Sequence, residues 1–187
     1  MWKEKFNDGY TNPFSIKIGA SRQYAQWLHE QIPSELAEQS SFKPQNLKAY
    51  SQIVLFGGIY AGSIAGVTFL IKHRELLAGK TLAVFAVGAS PASPDVLAVL
   101  QKKLNKDLPS AHLYYGRGSY DEQQMHFLDR TMCRMLRKSL VKKDPAVLQP
   151  WEQGLLESAG RGCCSWCDPE ALKPLCALFE RENKTAA

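Results

Sequence analysis

The chain has 187 residues, 45% of them hydrophobic and 22% charged, with a formal charge of +5. Thirteen glycines and ten prolines are too few for a low-complexity or collagen-like chain, and the apolar content excludes disorder as the main state. The length suits one domain with a full core, and the mild positive charge suits an anionic ligand or surface without singling one out.

Residues 1–14 read as an atypical segment. Asp8-Gly9 and Asn12-Pro13 are turn signals, and Pro13 lacks the donor that an interior strand needs. At most, residues 14–18 form a short strand. The start carries no apolar stretch that could act as a secretory signal, and five unevenly spaced cysteines do not read as a disulfide framework. A reduced, cytoplasmic setting follows as the expectation.

A helix is predicted over 21–32, with Tyr24, Ala25, Leu28 and Ile32 on one face and Pro33 ending it. Three continuous apolar runs, at 52–57, 81–87 and 112–115, have the pattern of parallel strands covered on both faces. Residues 53–71 carry no charge and approach the length of a bilayer span, with Gly58, Gly62 and Gly66 at four-residue intervals. Gly57-Gly58 breaks that run where a strand should end, so a strand, a glycine turn and a helix start are preferred. Further helices are expected over 64–78, closed by Gly79, and over 94–106, opened by Ser93, Pro94 and Asp95. A longer one is expected over 121–143, with Met125, Leu128, Met132, Met135 and Leu136 inward. The last, over 169–181, has Asp168 as cap and turns Leu172, Leu175, Cys176 and Phe179 inward. Residues 150–162 read as a loop and 183–187 as a disordered tail, which leaves an α/β domain over 15–182.

In a parallel sheet, ligands sit beyond the carboxyl ends of the strands. Three loops qualify: SIKIGAS (15–21), GGIYAG (57–62) and GASPASPD (88–95). The first puts a glycine and a hydroxyl before a helix start, where amide groups and the helix dipole favour phosphate. The second holds Tyr60 between glycines, an aromatic ring on a backbone that a flat ligand can approach. The third adds small side chains and amides beside it.

Taken together, these segments resemble flavodoxin-like proteins, in particular the group related to menaquinone-dependent protoporphyrinogen oxidases. KIGASRQYAQWLHEQI is similar to that family's phosphate loop and first helix, and VLFGGIYAGSIAG to its third strand and flavin-flanking loop. TLAVFAVGAS resembles the fourth strand with its loop, and YYGRGSYDEQQMHFLDRTMCRMLRK the fifth strand and the helix after it. The resemblance implies a three-layer sandwich with strand order 2-1-3-4-5, its first strand short or irregular. It also implies bound FMN serving electron transfer or oxidoreduction. The phosphate would then lie on Ser15, Lys17, Gly19, Ala20 and Ser21. The ring would lie between Gly57, Gly58, Ile59, Tyr60, Ala61 and Gly62 on one side and Gly88, Ala89 and Ser90 on the other. A redox partner protein or a small-molecule electron acceptor is implied as well. The alternative function is a flavin-free interaction module on the same fold.

Weaker patterns remain. Gly88-Ala-Ser-Pro-Ala92 has the outline of a nucleophile elbow around Ser90, with Asp121 and His126 as unconnected partners. Cys163, Cys164 and Cys167 include a Cys-x-x-Cys spacing without the second pair a metal site needs, and incidental small residues are the preferred reading. Arg130, Arg134, Arg137, Lys138, Lys142 and Lys143 make the 121–143 helix basic. Its ordinary explanation is a solvated face, and the sharper one is peripheral contact with a membrane or acidic partner. No aromatic platform accompanies the charges, so nucleic acid is not expected.

Overall fold

The computed structural model describes residues 10–14, 20–60, 62–121, 127–157 and 163–186. Along the chain run β1 (Tyr10–Phe14), α1 (Ala20–Gln31), β2 (Glu35–Glu38), β3 (Gln52–Tyr60), β4 (Ser63–Ile64), α2 (Val67–Lys72) and β5 (Thr81–Gly88). They are followed by α3 (Pro94–Asp107), β6 (His112–Arg117), β7 (Ser119–Asp121), α4 (Phe127–Leu140), α5 (Pro150–Glu157), β8 (Cys163–Ser165) and α6 (Lys173–Ala186). Five strands pair in parallel in the order β2-β1-β3-β5-β6, while β4 folds back antiparallel on β3 and β7 pairs with β8 separately.

The continuous apolar strands β3 and β5 are buried on both faces, as their composition requires. Because side chains alternate along a strand, each face has its own core. Val54, Phe56, Ala83 and Phe85 pack against Tyr24, Ala25 and Leu28 of α1 and Leu172, Leu175 and Phe179 near the carboxyl end. Ile53, Leu55, Val84 and Ala86 pack on the other face against Leu47, Leu70, Leu77, Leu100 and Leu104. The result is three layers, helix on sheet on helix. α3 opens as its residues dictate: Ser93 accepts from the Val96 amide at 3.3 Å and Pro94 takes the first turn.

Several elements differ from the sequence-based expectation. Residues 10–14, expected to turn, form β1 inside the sheet, upstream of the 14–18 strand that seemed the most the segment could supply. The ladder from β1 to β3 joins Tyr10, Thr11 and Phe14 to Gln52, Ile53 and Phe56 and omits Asn12 and Pro13. A proline's missing donor thus costs part of one ladder, while the β2 ladder runs through Pro13. β2 itself, four residues long and half-exposed, has too little apolar pattern to be read in advance. The uncharged 53–71 run is split among β3, β4 and α2, and no helix among the described residues is long and apolar enough to cross a membrane.

The helix expected from residue 64 begins at Val67, because β4 and the Gly66 turn, at φ 89°, come first. Residues 150–157 form α5 where a loop was expected. Pro150 stands at its first position, and the Glu152 carboxylate accepts from the Gln149 amide at 2.7 Å. That amide, followed by the Lys143 ammonium, holds the Glu152 carboxyl below the usual carboxylate range. On α4 the inward side carries Cys133, Arg137 and Leu140, whereas Met135 and Leu136, expected inside, face solvent. α6 continues to Ala186 through the expected tail, anchored upstream by Leu175, Leu178 and Phe179, and Glu182 accepts from the Thr81 hydroxyl at 3.1 Å.

Candidate functional site

The carboxyl ends of β1, β3, β5 and β6 all point to one edge of the sheet. α1 is the next described element after the β1 end of that edge, and its first turn carries no acidic residue. The Arg22 guanidinium of that turn pairs with Glu38 at the end of β2, so a carboxylate already stands near the positive helix start, neutralised by that pairing. Ser21 is buried in this turn. Ser15, Lys17 and Gly19 lie outside the described residues, and Ala20 opens the helix.

Gly57, Gly58, Ile59 and Tyr60, expected in a loop, are the last residues of β3, which extends because β4 pairs back on it (Ile59 with Ile64, Tyr60 with Ser63). Ala61 lies outside the described residues. Gly62 completes the return at φ 73°, its carbonyl accepting from Lys103 Nζ at 2.8 Å. The adjacent glycines meet opposite surroundings. A Cβ on Gly57 would stand 2.2 Å from the Ala65 carbonyl oxygen, so the return of the chain has closed that face. On Gly58 a Cβ would meet nothing within 4 Å among the described residues. Alternation puts Gly58 on the α1 side of the sheet, in line with Val54 and Phe56. Tyr60, half exposed at 50%, stands at the strand tip.

The β5 end lies next to it, with Gly58 paired to Val87 and Gly57 to Ala86. Gly88 is buried because the Tyr115 ring covers it; a Cβ would come within 2.3 Å of the phenol oxygen. Three bonds then fix the backbone that follows. Gly118 N–H donates to the Gly88 carbonyl at 2.7 Å, Arg117 Nε to Ala89 at 2.9 Å, and the Tyr115 hydroxyl to Ser90 at 2.7 Å. Arg117 also pairs with Glu157 at 2.8 Å and stacks over the Trp166 ring at 4.2 Å, tying α5 and the residue after β8 to the strand tip. Gly154 of α5 approaches the Ala89 carbonyl so closely that a Cβ would stand 3.1 Å from it.

Tyr24 makes the matching link on the other face, its hydroxyl donating to the Arg117 carbonyl at 2.8 Å and accepting from the Asp168 amide at 3.0 Å. Sequence reading missed Tyr115 and Arg117, although polar side chains at the carboxyl end of a buried strand are a usable signal.

Burial pushes the Tyr24 hydroxyl up to about 12, against a partial lowering by the Asp168 amide, and burial likewise raises Tyr115 to about 12. Both groups fold in the neutral form. Their contribution is therefore complete below the ordinary value of 10.0 and is lost as pH climbs through about 12. Urea midpoints should hold steady up to pH 10 from this source and fall steeply between 10 and 12, and Tyr24→Phe should flatten part of the fall. An identical decline in that variant would refute the assignment.

Ser90 is buried beneath this clamp, so it is no exposed nucleophile. Asp121 belongs to β7, and His126 lies outside the described residues. Cys163 and Cys164 belong to β8, paired with β7, rather than to a helix start, and burial raises the Cys167 thiol. Among the described residues no group of three or more His, Cys, Asp or Glu could hold a metal.

A doubly wound parallel sheet with glycines and a helix start at one carboxyl edge defines the class of this protein. The chain belongs to the flavodoxin domain family, whose model matches residues 13–146. No curated protein matches it at a significant level. Among solved structures it is similar to the Trp repressor binding protein from Bacillus subtilis, with 12% identity and TM-score 0.46 over 58% of this chain and 84% of that one. It is also similar to an FMN-dependent NADH-azoreductase from Bacillus anthracis in complex with FMN, with 12% identity and TM-score 0.41 over 82% of this chain and 98% of that one.

Proposed function

We propose that this protein binds FMN at the carboxyl edge of its sheet and takes part in electron transfer or oxidoreduction. The observation that carries this reading is the side-chain-free face of Gly58, open among the described residues. The exposed Tyr60 stands two residues on, and the β5 tip lies alongside. The phosphate would be held by Ser15, Lys17, Gly19, Ala20 and Ser21 at the start of α1, and the ring by Gly57–Gly62 and Gly88–Ser90. Family membership supports the assignment, as does the parallel sheet β2-β1-β3-β5-β6 with helices on both faces. The finer kinship with menaquinone-dependent protoporphyrinogen oxidases rests on the four sequence segments that resemble that group.

Bound FMN would supply the acceptance and release of electrons or hydride. The chain's own part is to hold the strand tips rigid. Arg117 and Tyr115 fix the carbonyls of Ala89 and Ser90, which keeps the backbone beside the ring in one conformation. A redox protein or a small-molecule acceptor would complete the reaction, in the reduced, cytoplasmic setting that the uneven cysteine spacing of the sequence suggests.

The visible absorption spectrum of freshly purified protein, with and without added FMN, tests the reading. A flavin spectrum or saturable uptake is expected, and Tyr60→Ala should weaken FMN about tenfold, within the range of a lost aromatic contact. Unchanged affinity would discredit Tyr60 as the ring contact.

One set of observations favours a flavin-free interaction module instead. The Gly88, Ala89 and Ser90 carbonyls are all taken by the protein itself, and α5 lies against Ala89. Purification without flavin, together with no uptake of FMN, would decide for that module.

A further inference from the structure

Six large apolar side chains are exposed among the described residues, and four of them fall between residues 135 and 147: Met135 at 67%, Leu136 at 39%, Val141 at 72% and Val147 at 56%. Residues 127–147 also carry six cationic side chains against two acidic ones, a net +4 of the chain's +5. Lys143 turns to the buried Glu152, with bonds of 2.9 and 3.0 Å, and leaves the face. Arg134, Lys138 and Lys142 are exposed among the apolar residues. Met135 and Lys138 are three apart on α4 and share one side of the helix.

An isolated exposed valine needs no explanation, and a basic helix alone is usually a solvated face. Their coincidence in one short segment is different, because a water-facing helix gains nothing from Met135, Leu136 and Val141 between its cations. We propose that the end of α4 and the turn to Val147 form a peripheral docking surface for anionic phospholipid. Cations would meet the headgroups while Met135, Leu136, Val141 and Val147 enter the headgroup–acyl boundary. Charge complementarity selects this occupant, since an anionic bilayer offers negative charge and apolar depth together. The proposal does not depend on flavin binding.

The test is co-sedimentation of the full chain with vesicles of phosphatidylcholine alone, or of phosphatidylcholine with phosphatidylserine as the minor component. Binding to the mixed vesicles at low salt is expected, with loss at high salt and little binding to phosphatidylcholine alone. Lys138→Glu combined with Lys142→Glu should lower the partition coefficient at least about twentyfold, at roughly a kcal/mol per cation near the surface. Val141→Asp should weaken binding with every cation retained. These side chains are exposed, and unchanged far-UV circular dichroism would verify the fold. The wild-type salt series tests the proposal without any variant. No sedimentation with the anionic vesicles at low salt would overturn it, as would equal binding to both vesicle types. A dimer dissolved by Val141→Asp, without vesicle binding, would assign the face to a second copy of the chain.

Discussion

A Gly57→Ala variant is expected to lose about 2 kcal/mol or more of stability, the range of overpacking in a closed core. The added methyl would sit 2.2 Å from the Ala65 carbonyl oxygen and 2.8 Å from Ile64 Cγ2. The first is backbone, so relief requires the β4 return to move. That return is held by the Ala65 amide on the Gly58 carbonyl at 2.9 Å and by the Gly66 turn, where φ is 89°. For a domain of this length the loss corresponds to a fall in Tm of roughly 4–8 °C. Urea unfolding measures it directly. Gly58→Ala is the internal control: its methyl meets nothing within 4 Å among the described residues, so it should be neutral or stabilise by about 0.4–1 kcal/mol through the unfolded chain. Equal behaviour of the two variants would mean that the β3–β4 return is not formed as described.

Gly58→Leu is expected to separate folding from ligand binding. Its Cβ would lie on the α1 side of the sheet with nothing within 4 Å among the described residues, so the urea midpoint should change little. FMN affinity should fall at least about tenfold, because the backbone approach that glycine permits would be filled. Titration of the variant and the wild type with FMN, followed by flavin absorbance and fluorescence, reads the difference. If the variant binds FMN as the wild type does, the ring does not lie against this face. A variant that fails to fold would show instead that neighbouring protein already occupies the space.

The two glycines also show how far the sequence could be read. GGIYAG signalled a turn or a close approach, since two adjacent glycines after a buried apolar run are costly otherwise, and the chain does fold back there. It could not show that the strand continues to Tyr60, because β3 is extended by its pairing with Ser63–Ile64, and a two-residue strand carries too little pattern to be read in advance. A different limit explains β1. Asn12-Pro13 reads as a turn by its own propensities, yet β2 and β3 on either side hold Tyr10–Phe14 extended.

Local pattern determined the α/β class, the buried strands at the centre of the sheet, the Ser93 start of α3 and the apolar faces of α1 and α6. In each case the signal is a repeat or a cap within a dozen residues, so chemistry and position are read together. Tertiary structure alone decided which glycine face stays open, and it brought Tyr115 and Arg117 to hold the Ala89 and Ser90 carbonyls across more than twenty residues of chain. It also turned Met135 and Leu136 outward. A helix has several sides that a mixed sequence could bury, and only the neighbours it packs against choose between them.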